Sequence, residues 1–186
     1  MSLAAAAVLA GCNDDEPDHG SGVHVVDGHY CGYLSADLVE AYLGHDDVTV
    51  RGDMIVDRDQ RRSTVLSCSV NDSESRVNIS VRVDEDHGVP PPDPAPLASG
   101  CTTPDLPTGW GPAQLCRTDY IHLTAWAPTA GRYLTADVDV QDGAGDKAGD
   151  IAGDKAAETA VAIIEDVNAT LDRYDEKHAA DGTQDG

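Results

Sequence analysis

The sequence predicts an α+β domain: an antiparallel sheet of about five strands, with a short N-terminal helix and a C-terminal amphipathic helix packed on it. Three observations carry that expectation. From Arg76 to Val83 the residues alternate strictly, with Val77, Ile79, Val81 and Val83 separated by polar residues, the pattern of a strand with one wet face. Ala157, Val161, Ile164, Val167 and Leu171 fall on one face of a helical wheel. The strand-like segments run consecutively between the two helical ones, whereas a parallel α/β fold would alternate them.

Residues 12–29 are rich in Asp, Gly and His and lack periodicity, so they read as a flexible acidic tether. A single domain is expected over residues 30–178. Its first helix runs from Ser35 to Gly44. Ser35 is a good N-cap, Asp37 suits the positive end of the helix dipole, and Gly44 is a natural stop. Leu38, Val39, Tyr42 and Leu43 form its apolar stripe.

Val48-Thr49-Val50 and Met54-Ile55-Val56 are β-rich, and Arg58-Asp59-Gln60-Arg61-Arg62 reads as a turn. A strand over residues 64–70 and the alternating strand over 76–83 follow. Residues 88–107 read as one long Pro-rich loop pinned by Cys101. Tyr120 to Ala127 and Arg132 to Val140 are two more strands, turned into a hairpin by residues 128–131. The final helix opens at Asp154-Lys155-Ala156-Ala157-Glu158. The two short Gly-Asp-Lys-Ala copies at 145–148 and 153–156 look like a Gly-broken approach to it. Residues 179–186 read as a disordered polar tail.

The chain has 186 residues, no Phe and a formal charge of −22. Val, Ile, Leu and Ala must therefore fill most of the core. So acidic a chain argues against binding nucleic acid or docking directly on anionic lipid headgroups, since both reward Lys and Arg.

An uncharged, Ala-rich apolar run begins at Leu3 and closes on Leu9-Ala10-Gly11-Cys12, with Asn13-Asp14-Asp15-Glu16 directly behind it. This resembles the lipobox of bacterial lipoproteins. The run is far shorter than the roughly 20 residues needed to cross a bilayer, and it fits the apolar core of a signal peptide. The resemblance implies that residues 1–11 are removed and that Cys12 carries a diacylglyceryl group. The membrane lipid is then the first partner, and the expected address is the extracytoplasmic face of the cell membrane. Met1-Ser2-Leu3 lacks the usual positive charge, so the true start is expected upstream.

With Cys12 assigned to the anchor, an even four cysteines remain: Cys31, Cys68, Cys101 and Cys116. In an exported domain these read as two disulfides, for which three connectivities exist. Cys31–Cys68 with Cys101–Cys116 is favoured. The second bridge closes a short loop rich in Pro and Gly, and the first ties the start of the domain to a strand. No CxxC spacing supports zinc.

The order of these features resembles small actinobacterial envelope lipoproteins that carry a domain of unknown function. Cys31-x-x-Leu34 opening a short helix that ends at Gly44, Cys68 in a strand, and the Ala-rich helix from Ala156 to Leu171 carry the likeness. Cys101 and Cys116 lie outside that pattern. The resemblance implies surface anchoring and binding of an envelope protein or small ligand. It brings no catalytic residue.

Other candidates are weaker. His19, His24 and His29 recur every five residues and could capture a soft metal, but a tether does not preorganise ligands. Asp137, Asp139, Asp142, Asp146, Asp150 and Asp154 form an acidic series without the spacing of a calcium loop, and the first two read as a strand's solvent face. Arg51-Gly52-Asp53 spells an integrin tripeptide but reads as a turn between strands. Arg58, Arg61 and Arg62 form a basic cluster at a hairpin tip. Trp110 and Trp126 are expected in the core before a binding wall. No nucleophile motif is present. The expectation is a non-catalytic, monomeric binding module with no cofactor and no metal. The alternatives are an exported hydrolase without a recognisable motif and a metal-capturing surface protein.

Overall fold

A computed structural model describes residues 25–55, 65–72, 75–85, 100–140 and 146–181. A small sheet comes first, built from β1 (Val25–Val26), β2 (His29–Tyr30) and β3 (Leu34–Ser35), and α1 (Ala36–Leu43) follows at once. The main sheet holds β4 (Thr49–Gly52), β5 (Val65–Asn71), β6 (Asn78–Asp84), β7 (Cys101–Thr102), β8 (Ala113–Arg117), β9 (Tyr120–Ala127) and β10 (Arg132–Asp139). Helix α2 (Asp146–Asp181) closes the chain. The main sheet is antiparallel throughout, in the order β4-β5-β6-β10-β9-β8-β7. Two meanders thus meet at its centre, where β6 pairs with β10.

The α+β architecture with a helix at each end is the expected one, with more strands than about five: seven in the main sheet and three in the small one. The alternation in β6 does what its sequence implies. Ile79, Val81 and Val83 point into the core together with Leu66 and Val70 of β5 and Leu134, Ala136 and Val138 of β10. Helix α2 lays Ala156, Ala160, Ile163, Ile164, Val167 and Leu171 over β9 and β10. The opposite face of the sheet carries Ser69, Ser80, Thr135 and Thr124 across its middle, with Trp126 and Tyr133 at one end.

Helix α1 begins and ends as expected. The Leu38 N–H donates to the Ser35 hydroxyl (3.4 Å), and Gly44, in the left-handed region, donates to the Glu40 carbonyl (2.7 Å). Tyr42 joins α1 to both neighbours. Its hydroxyl donates to the Asp139 carbonyl (2.6 Å), and Lys155 of α2 donates to its backbone carbonyl (3.0 Å) with the ammonium 5.0 Å from its ring.

Several boundaries differ from the sequence reading. The small sheet starts at Val25, inside the segment read as tether, because Asp27 (φ 49°) and Gly28 (φ 78°) make a tight two-residue hairpin. Met54 and Ile55 are not in a strand. The Ile55 N–H instead donates to the Cys31 carbonyl (3.0 Å), and the side chain is buried. Helix α2 starts at Asp146, so the Gly-containing approach is itself helical, and it ends at Asp181, past the start of the expected tail. Packing overrides the low helix propensity of Gly153, since Arg117 meets Asp154 and Lys155 meets Tyr42 just beyond it. Two short strands, β7 and β8, occupy a region left without strands by the sequence.

The Arg-Gly-Asp tripeptide is no turn. Arg51 and Gly52 lie in β4 opposite Ser69 and Cys68, and the Asp53 carboxylate accepts from the Ser67 N–H and hydroxyl (both 3.1 Å). A Cβ at Gly52 would lie 2.7 Å from the Cys68 Cα and 3.0 Å from the Cys31 sulfur. Glycine stands there chiefly because the backbone of β5 presses against it, the Ser67 carbonyl oxygen lying closest of all, with the Cys31 sulfur closing the remaining side.

Candidate functional site

Both disulfides have the expected connectivity. Cys31–Cys68 joins the small sheet to β5, and Cys101–Cys116 joins β7 to β8. Two bridges in one small domain fit an oxidising environment outside the cytoplasm. No helix among the described residues is long and apolar enough to cross a membrane. Cys12, the expected lipidation site, lies outside the described residues.

Among the described residues, the most site-like feature sits where α2 stops covering the sheet. The helix packs on β9 and β10, and between its flank and the outer strands β8 and β7 a cleft of about 380 Å³ remains. Leu115 of β8 and Ala157, Val161 and Ala162 of α2 form an apolar floor. Thr102 and Pro104 form the outer wall. That wall hangs from a two-residue strand, and Cys101 and Cys116 are direct register partners with their Cα atoms 4.0 Å apart. The disulfide therefore holds the wall.

Charge is uneven around the rim, which carries Asp105, Glu158, Glu165 and Arg117. Arg117 is already engaged, its Nη1 2.7 Å from the Asp154 carboxylate. Among the described residues Asp105, Glu158 and Glu165 have no ion-pair partner. A second cleft of about 360 Å³ lies on the other side of the same segment, sharing Pro104 and Asp105 and lined by Trp110.

Trp126 is buried, as expected, and Trp110 packs against the core while only partly buried. Trp110 also lines that second cleft. Trp126 alternates with Ala125 and Ala127, which places its ring on the other face from the main core, beside Tyr133. Residues 110–112 run against it, Gly111 donating to the Trp126 carbonyl (2.8 Å) and Trp126 donating to the Pro112 carbonyl (3.1 Å).

The remaining candidates do not converge. His29 is built into the fold: its Nε2 faces Asp166 (3.4 Å) and Thr170 (3.4 Å) of α2, and its Nδ1 meets the Asp27 carbonyl (2.8 Å). His19, His24, Arg58, Arg61, Arg62 and Asp142 lie outside the described residues. Asp137 pairs with His122 (2.6 Å), Asp139 accepts from the Asn78 N–H (2.9 Å), and Asp154 holds Arg117. Asp146 and Asp150 lie in the first turns of α2. Among the described residues no three His, Cys, Asp or Glu side chains gather as a metal site.

Two clusters escaped the sequence reading. Arg132 is buried among the carboxylates of Glu85, Asp172 and Asp175 and donates to Asp172 (2.8 Å), clamping β10 to α2. Its signal was available, since Leu134, Ala136 and Val138 place Arg132 on the inward row. His122 and Asp137 form a pair on the wet face. The register Ala127↔Arg132 across the hairpin turn sets them opposite one another. No hydroxyl group bonds that imidazole among the described residues, so the pair has no nucleophile aimed at it. Next to the first disulfide, burial and the Glu40 carboxylate push the Tyr30 phenol up to about 12.

No protein-family model, curated protein or solved structure matches this chain.

Proposed function

We propose that this chain is a lipid-anchored envelope protein, similar to the small actinobacterial lipoproteins, whose non-catalytic domain holds a ligand in the cleft between β8 and α2. The observation that carries this reading is the cleft itself: an apolar floor left uncovered by the helix, behind a wall that a disulfide keeps in place. Apolar clefts of this size with a few polar groups on the rim are the usual form of a small-molecule site. The acidic surface and the lipobox resemblance support a soluble domain held at the membrane through Cys12, and the two bridges suit an extracytoplasmic address.

Two measurements test the two halves of the proposal. Radiolabelled palmitate should enter the protein in its native host, and Cys12→Ala should abolish both labelling and membrane retention. Retention without Cys12 would sink the anchor. Native mass spectrometry of the protein purified from its own envelope should show a small-molecule adduct that Ala162→Trp removes by filling the floor. An adduct that survives the filled cleft would move the site elsewhere.

A further inference from the structure

The rim of the cleft says which chemical class it would take. We propose that it selects lipophilic amines, small molecules with one apolar chain and a protonated ammonium head, and that Glu165 is the residue that recognises the head. This rests on the ligand-binding reading of the same cleft.

The placement follows from helix geometry. Glu158, Val161, Ala162 and Glu165 lie on one flank of α2, so the two carboxylates bracket an apolar strip about 10 Å long. The two ends of that strip differ. Asp154, one turn before Glu158, holds the Arg117 guanidinium at 2.7 Å, so positive charge already stands near that end. Glu165 is half-buried and has no cation beside it among the described residues. A half-buried carboxylate at the end of an apolar floor is completed by a cation, and a carboxylate head there would be repelled. Asp105 on the facing wall adds a second negative charge to the rim. The occupant is a small molecule, because about 380 Å³ lies at the lower end of drug-sized sites and holds one short chain.

Calorimetric titration of the full chain with decylammonium, decanol and decanoate, each below micelle formation, decides the matter. Decylammonium is expected at one site, decanol roughly fivefold weaker, and decanoate weaker still, since a partly exposed ion pair contributes about a factor of five at most. Glu165→Gln should bring decylammonium to the level of decanol. Glu158→Gln, near Arg117, should cost about two- to threefold. Glu176→Gln, exposed near the far end of α2, should change nothing, which separates a local contact from the general attraction of a chain of charge −22. All three replacements are nearly isosteric, so folding is retained.

Decanol or decanoate binding as tightly as decylammonium would overturn the amine class and leave the cleft as a site. Equal losses from Glu176→Gln and Glu165→Gln would overturn the role of Glu165. If all three probes bind undiminished to Ala162→Trp, or none binds the unaltered chain, the ligand cleft falls as well.

Discussion

Cys31–Cys68 and Cys101–Cys116 join comparable pieces of backbone in very different surroundings. Cys31 and Cys68 are 2% and 1% exposed and belong to the core, between the small sheet and β5. Cys101 and Cys116 are half-buried at the far edge of the main sheet, where β7 is only two residues long. Around the first bridge everything is tightly met: Gly52 leaves room for the sulfur, Ile55 bonds back to Cys31, and Tyr30 bonds to Glu40 (3.0 Å). Around the second the helix no longer covers the sheet and a cleft opens. Buried, a bridge locks two layers together. At an edge it holds up a wall that has too few hydrogen bonds to stand alone, and such edges are where a fold can admit a ligand.

The sharpest way to break this comparison is to remove each bridge in turn. Cys31→Ala with Cys68→Ala should lose about 4 kcal/mol, the loop-closure value for a separation of 37 residues, and the loss should appear as a single cooperative shift in denaturant melts. Cys101→Ala with Cys116→Ala should lose about 3 kcal/mol at most, for a separation of 15. Hydrogen exchange should then rise over residues 100–112 while β9 and β10 stay protected. Protection lost evenly across the sheet would show that the edge bridge is as structural as the buried one. Timed alkylation under mild dithiol should trap Cys101 and Cys116 before Cys31 and Cys68, because attack on a disulfide needs access to a sulfur. The reverse order would remove the contrast.

The smallest effect concerns alkali. The Tyr30 phenol is raised by burial, with Glu40 adding to the shift, from its ordinary value of 10 to about 12, so the fold prefers the neutral form. That contribution is complete below pH 10 and is lost as pH rises from 10 to 12. Tyr30→Phe should lower the melting temperature slightly at pH 8, through the missing Glu40 hydrogen bond. It should also flatten the decline between pH 10 and 12. An unchanged alkaline slope would show that Tyr30 does not feel the buried half as described.

Much of this fold was legible because its signals are local. Ser35 and Gly44 bounded α1, and the period of two in β6 and of 3.6 in α2 reported their buried faces. The β9–β10 hairpin followed from two β-rich runs across a short turn. Val25-Val26-Asp27-Gly28-His29-Tyr30 carried an equally local hairpin signal, hidden by the polar, Gly-rich composition around it. By contrast, β7 and β8 are short and flanked by Gly and Pro, and they exist as strands because β9 offers an edge to β8 and β8 in turn offers one to β7. The cleft was illegible for the same reason, since its floor joins Leu115 to residues 157–162, about 40 positions away.

Sequence alone determined the α+β class and the inward rows of β6 and of the two helices, and it favoured the cysteine pairing that the structure has, because periodicity, capping and short loops act between near neighbours in the chain. Tertiary structure decided the strand count, the helical start of α2, the burial of Arg132 and the opening between β8 and α2. These depend on which surfaces meet after the two meanders join at β6 and β10, and on how far one helix reaches across seven strands.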